Sequence, residues 1–213
     1  MNFEKRLNGF LTSQQFNESK IHKQPTFNYF YVSQVGTCNR MLYFIKKFGY
    51  KFDIKITKFY QIGRILHEFI QKNLFDNSME TEIPLTINFK NLIISGRIDC
   101  IHKNEIYEFK TASYLPKEPI KKDILQLNMY LSQHKDKTGK LIYISKMNLD
   151  SLEFEFKFDQ KLYELSLQKF EKVYECLKNN TIPIINEDEH NAEKYPCECL
   201  KIYSEEIKKE KGE

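Results

Sequence analysis

The residues best suited to chemistry are concentrated in one stretch, SGRIDCIHKNEIYEFKTA (95–112). Asp99 lies among apolar neighbours, Glu108 follows nine positions later, and Lys110 comes two after that. Acids and amines on buried strands are costly unless each finds a partner. Side chains alternate faces along a strand, so Glu108 and Lys110 share one face and Tyr107 and Phe109 the other. In the preceding segment Ile98 and Cys100 point away from Asp99. If segments 91–102 and 105–112 pair, two carboxylates and one ammonium meet at a single place. Two carboxylates suit a hard divalent cation such as Mg²⁺ or Mn²⁺, which prefers oxygen ligands and retains some of its water. Such an ion activates water and stabilises a leaving oxygen at a phosphodiester. A lysine beside it holds the charge that develops on phosphorus.

The surrounding sequence predicts the elements that must position these groups. FNYFYVSQVGTCNRMLYFIKKFGY (27–50) is apolar, with Ser33 as a candidate N-cap and Val35, Cys38, Leu42 and Ile45 spaced for one helix face. TKFYQIGRILHEFIQKNLF (57–75) reads as a second helix. Its apolar side is Tyr60, Ile62, Ile65, Leu66, Phe69 and Ile70, with His67 near that side. METEIPLTINF (79–89), NLIISGRIDCIHK (91–103) and NEIYEFKTA (104–112) are strand material, the last two joined as a hairpin at Lys103-Asn104. PIKKDILQLNMYLSQH (119–134) is an amphipathic helix with Ile124, Leu127 and Leu131 inward. GKLIYIS (139–145) and SLEFEFKF (151–158) are further strands, and a long helix with Asp159 as cap covers 159–180. This pattern predicts an α/β fold with a central mixed sheet flanked by helices.

The chain has 213 residues, 41% hydrophobic and 14% aromatic, and so reads as one globular domain with a real core. That core spans about 57–180, with 27–50 and the tail 181–213 as a subdomain. The net charge of +4 is compatible with a polyanionic partner without requiring one. Only four basic residues are arginine, and the Lys/Ile/Asn-rich composition suits an AT-rich genome or a thermophile. No apolar run approaches the roughly 20 residues of a membrane span, and the N-terminus lacks a signal peptide. The sequence therefore reads as a soluble, cytoplasmic protein with no membrane partner. Five scattered cysteines (Cys38, Cys100, Cys176, Cys197, Cys199) do not make a secreted disulfide framework.

GRID followed by EFK resembles the D…E-x-K signature of the PD-(D/E)XK nuclease superfamily. GRILH (63–67) resembles the G-x3-H helix motif of its RecB-like branch, and QLNMY (126–130) that branch's Q-x3-Y motif. VSQVGTCNRMLYF (32–44) resembles the N-terminal cysteine segment of the CRISPR-associated RecB-like exonucleases. The order and rough spacing match across residues 30–200, and composition suits a virus-encoded homologue from a hyperthermophilic archaeon. The resemblance implies a restriction-endonuclease-like core and a Mg²⁺- or Mn²⁺-dependent deoxyribonuclease. It further implies an exonuclease acting on single strands or DNA ends. His67, Asp99, Glu108 and the backbone carbonyl of Phe109 would ligate the metal. Lys110 would position or polarise the attacking water, and Gln126 and Tyr130 would contact the scissile phosphate or the DNA strand. Arg64 and Arg97 are further candidates for phosphate contact, which the motifs do not specify. Ring-shaped or dimeric homo-oligomers would suit strand threading.

Each piece by itself has a commoner explanation: a core histidine, a turn aspartate, an edge-strand E-x-K, a helix-surface glutamine. Their joint occurrence in family order is what outweighs those explanations. A catalytically weak DNA-binding or assembly protein on the same fold is the rival reading, motivated by the cysteines. In the CRISPR-associated relatives one N-terminal and three C-terminal cysteines hold a [4Fe–4S] cluster, and four thiolates are the usual requirement. Here Cys38 has its counterpart, but the C-terminal set is shortened to Cys197 and Cys199 and the final cysteine is absent. The expectation is a vestigial staple, a disulfide from Cys38 to Cys197 or Cys199, with a cluster or a zinc site as alternatives.

Overall fold

The computed structural model describes residues 27–51, 54–73, 79–184 and 198–211. The elements run β1 (Tyr29–Tyr31), a 3-10 turn (Val32–Gln34), α1 (Asn39–Phe48), α2 (Ile54–Asn73), β2 (Glu80–Phe89), β3 (Leu92–His102) and β4 (Glu105–Ala112). They continue with α3 (Lys121–Leu131), β5 (Thr138–Ser145), β6 (Ser151–Phe156), α4 (Gln160–Lys178), α5 (Cys199–Ile202) and α6 (Ser204–Lys211). The six strands form one sheet in the order β1-β3-β4-β5-β6, with β2 also on β3. β1 runs parallel to β3 and β4 parallel to β5, while β2–β3, β3–β4 and β5–β6 are antiparallel. The fold is therefore the expected α/β arrangement with a mixed central sheet.

The pleat sorts the apolar residues into two cores. On one face Ile106 of β4 and Leu141 and Tyr143 of β5 join Phe30, Leu42, Phe44, Leu127, Phe170 and Tyr203. This large core packs α1, α3 and α4 on the sheet. On the other face Phe109 and Ile144 join Cys100 and Ile70 of α2 in a smaller core. β4 is consequently covered on both sides, with Ile106 in the large core and Phe109 in the small one. β6 alternates, with Glu153 and Glu155 outward on Lys140 at 2.7 and 3.0 Å. The hairpin at Lys103-Asn104 forms as expected, with His102 opposite Glu105 and Lys103 at φ 51°.

The N- and C-terminal segments pack together. The Tyr203 ring lies 5.2 Å from Phe44, its hydroxyl donates to the Gly49 carbonyl at 2.8 Å, and Lys51 pairs with Glu206 at 2.5 Å.

Four sequence expectations are corrected. Ser33 caps no α-helix; it lies in the 3-10 turn, and α1 starts at Asn39 with Cys38 as N-cap, its sulfur accepting from the Met41 N–H at 3.3 Å. The stretch before it forms β1, whose partner is the distant Ile93–Ser95. On α2 only part of the expected apolar side is inward: Ile70 is buried and Leu66 packs against the small core on the side that carries Gly63, but Tyr60, Ile62, Ile65 and Phe69 are exposed. The physical reason is Gly63, where a side chain would stand 2.8 Å from the Thr111 hydroxyl. That close approach settles which face of α2 meets β4. Ile98 and Cys100 do not share a face either: Ile98 belongs to the large core and Cys100 to the small one. The alternation breaks at Asp99, and Glu82 of the neighbouring β2 takes φ 57° at the same level. Finally, no disulfide joins Cys38 and Cys199; the alternative partner Cys197 lies outside the described residues. Cys38 is used instead as a helix cap, and Cys199 is buried among the aromatic rings that join the termini.

Candidate active site

The site forms where the edge of β3 loses its strand partner. β2 pairs with one edge of β3 along nearly its whole length. The other edge is shared between β1, at Ile93–Ser95, and β4, at Cys100–His102. Between them, among the described residues, positions 96–99 face no strand. Had the β3–β4 ladder continued, Ile98 would lie opposite Phe109 and accept and donate its backbone hydrogen bonds. Instead the Phe109 N–H donates to the Asp99 carboxylate at 2.8 Å, and the Phe109 carbonyl accepts from His67 Nε2 at 2.8 Å. Buried backbone groups demand partners, so the divergence of two strands draws a carboxylate and an imidazole to one point.

A carbonyl oxygen only accepts, so His67 Nε2 carries the hydrogen and Nδ1 presents its lone pair, 3.8 Å from an Asp99 oxygen. The Phe109 carbonyl, expected as a metal ligand, serves here as the acceptor that orients His67. Such a second contact is how a ligating histidine is usually aimed.

Cys100 opposite Tyr107 places Asp99 next to Glu108 across the strands. Glu108 is 2% exposed. One of its oxygens accepts from Lys110 Nζ at 2.7 Å and from Gln126 Nε2 at 2.8 Å. Its other oxygen is buried with no hydrogen-bond partner. Gln126 and Tyr130 are one turn apart on α3 and share a face. The Gln126 amide donates to Glu108 and to the Tyr130 hydroxyl at 3.0 Å, and its oxygen accepts from Lys110 at 2.8 Å. The Tyr130 ring reaches the break because residue 96 is glycine; a Cβ there would stand 3.0 Å from it and 2.8 Å from Val32.

Burial, together with their mutual repulsion, pushes the Glu108 carboxyl well above the ordinary carboxylate range, and burial raises Asp99 in the same direction. Burial holds the His67 imidazole below its usual value, against the pull of Glu108. For Lys110 burial would favour the neutral amine, but Glu108, Asp123 and Asp99 together outweigh it and keep the ammonium charged. Burial raises the Tyr130 phenol far above its usual value. Burial thus drives the two carboxyls toward their protonated forms, and the one ammonium only partly opposes it.

The structure brings His67, Asp99, Glu108, Phe109, Lys110, Gln126 and Tyr130 together. It leaves Arg64 exposed near Glu68 at 3.9 Å, and Arg97 exposed and paired with Glu82. Among the described residues no three His, Cys, Asp or Glu side chains stand close enough together to hold a metal ion as placed. The donor set nevertheless fits a divalent ion: two carboxylates, an unpartnered buried oxygen on one of them, and an imidazole whose Nδ1 is aimed at the other. Sequence reasoning missed Gly96, Asp123 and Tyr143. Asp123 precedes Gln126 by three residues and so lies on the same helix face, a signal that was legible.

A cavity of about 440 Å³ opens at the C-terminal ends of β4 and β5, lined in part by Ser113, Tyr114 and Met147. Tyr114 is 87% exposed at its edge.

No protein-family model matches the chain, and no curated protein does. Among solved structures it is similar to SSO0001, at 24% identity and a TM-score of 0.63, over 78% of this chain and 85% of that one. It is also similar to LHK-Exo, solved in complex with dAMP, at 10% identity and a TM-score of 0.47, over 71% of this chain and 88% of that one. A candidate exonuclease from Eubacterium rectale gives 11% identity and 0.47, over 82% and 97%. The last two superpose too loosely to carry an argument. The likeness to SSO0001 shows a shared α/β fold around the mixed sheet.

Proposed function

We propose that this chain is a metal-dependent deoxyribonuclease that hydrolyses phosphodiester bonds, acting as an exonuclease on single strands or DNA ends. The observation that carries this reading is the Glu108 carboxylate, buried with one oxygen held by Lys110 and Gln126 and the other without a partner. An unsatisfied buried oxygen of this kind costs stability and marks a functional position. Asp99, Glu108 and His67 through Nδ1 would hold Mg²⁺ or Mn²⁺. When bound, that ion supplies water activation and charge neutralisation at the phosphodiester. Lys110 aligns the attacking water and meets the charge developing on phosphorus. Gln126 fixes Lys110 by accepting one of its hydrogens. Tyr130 accepts from Gln126, so its own proton can be given to a phosphate oxygen.

The test uses end-labelled single- and double-stranded DNA with Mg²⁺ or Mn²⁺, beside Glu108→Ala and Lys110→Ala. Stepwise shortening of single strands by the wild type is expected, with a loss of about a hundredfold or more in both variants. Binding without cleavage by the wild type would replace the nuclease reading with that of a DNA-binding protein. Cleavage that survives both substitutions would move the chemistry elsewhere.

A further inference from the structure

Lys110 has a second buried carboxylate near it that the proposed chemistry does not use. Asp123, in the first turn of α3, is 5% exposed. An aspartate in a first helical turn ordinarily faces solvent and favours the helix dipole. This one makes no cap contact. Its Oδ2 accepts from the Tyr143 hydroxyl of β5 at 2.8 Å, and its Oδ1 stands 3.9 Å from Lys110 Nζ. The same Tyr143 hydroxyl accepts from the Ile120 N–H at 2.9 Å, so it takes over the capping of α3. Tyr143 is 1% exposed and cannot turn away. The carboxylate is therefore fixed and faces the ammonium, too far for a direct hydrogen bond and at the outer edge of ion-pair reach.

At present Lys110 donates to Glu108 and Gln126. Glu108 is also the central carboxylate for the divalent ion on the nuclease reading, on which this inference rests. An oxygen shared with a cation is a poorer partner for an ammonium, and the two positive charges repel. We propose that Asp123, held by Tyr143, is a positioning residue that keeps the Lys110 ammonium in place when Glu108 is engaged by a divalent cation.

Asp123→Asn keeps an acceptor for Tyr143 and almost the same volume while removing the charge that faces Lys110. Two readouts decide the question. In steady-state cleavage, Asp123→Asn is expected to lower kcat by tenfold or more with KM for DNA and the melting temperature nearly unchanged. Asp123→Glu is expected to restore part of the loss, and Tyr143→Phe to give a smaller loss in the same direction. In ¹⁵N-lysine-labelled protein, the Lys110 ammonium signal, identified by its absence in Lys110→Met, reports the anchoring without any turnover. Its hydrogen exchange is expected to be several-fold faster in Asp123→Asn than in wild type, and faster still with Mg²⁺. Equal exchange in the two proteins with and without Mg²⁺ overturns the proposal, as does unaltered kcat in an active enzyme. Faster exchange in a wild-type background that cleaves no DNA would sink the nuclease reading and leave the anchoring role standing.

Discussion

Replacing Gln126 by leucine tests whether the polar network holds the site together or merely occupies it. The side chain keeps nearly its volume and loses three hydrogen bonds, to Glu108 at 2.8 Å, Lys110 at 2.8 Å and Tyr130 at 3.0 Å. Two of these engage charged groups and contribute about 1.5–3 kcal/mol each, and the third contributes about 1 kcal/mol. The gross loss is about 4–7 kcal/mol. Leucine returns about 1–2 kcal/mol through added apolar burial, since the methylenes of glutamine are already inside. The net expectation is a destabilisation of about 2–6 kcal/mol. For a chain of this size each kcal/mol moves Tm by about 2–4 °C, so a drop of about 4–24 °C is expected. Thermal and urea melts in EDTA, which keeps ion binding out of the comparison, measure it, with an unchanged urea slope as the sign that only stability moved. A leucine variant that melts with the wild type, or above it, refutes the reasoning. It would mean that this buried ionic network makes no net contribution, as happens when such networks are exchanged for well-packed apolar groups.

Two further outcomes follow from the structure. Lys46 of α1 is half-buried, donating to the Tyr29 carbonyl and lying 4.6 Å from the Phe30 ring, with no carboxylate partner given by these contacts; burial pushes its pKa down to about 7 from 10.5. The folded protein then binds fewer protons than the unfolded chain between those values, so stability rises as pH climbs from about 7 to 10. Lys46→Met is expected to flatten that rise in urea titrations and, after discounting for the wet part of the side chain, to be about 1 kcal/mol more stable than wild type at pH 6; parallel curves for the two proteins would contradict it. Gly36→Ala would bring a methyl to 2.1 Å from Lys122 Cβ and 2.9 Å from its Cα. Because α3 backbone cannot yield cheaply, a loss of about 1–3 kcal/mol is expected in denaturant melts, and a neutral result would show that the loop before α1 is free to shift.

Much of the site was legible because its parts obey short-range periodicity. Glu108 and Lys110 share a face because strand side chains alternate, and Gln126 and Tyr130 meet because a helix repeats every 3.6 residues. The Lys103-Asn104 hairpin then brings Asp99 beside Glu108 through a two-residue turn, again a local event. What stayed hidden depends on residues far apart in the chain. The outward turn of Tyr60, Ile62, Ile65 and Phe69 is decided by Gly63 seating against Thr111 of β4, some fifty positions on. Cys38 reads as a helix-face residue and a disulfide partner until the placement of α1 makes it the cap.

Local pattern alone determined the α/β class, the pairing that unites two acids with an amine, and the helix that supplies the amide and phenol. Tertiary structure alone decided that β1 and β4 divide one edge of β3 and leave Gly96 to Asp99 between them. That gap exists because two strands, β1 and β4, each take one end of a single row of backbone hydrogen bonds on β3. Satisfying the freed Phe109 backbone groups with Asp99 and His67 is what turns a spacing of residue types into one enclosed polar cluster.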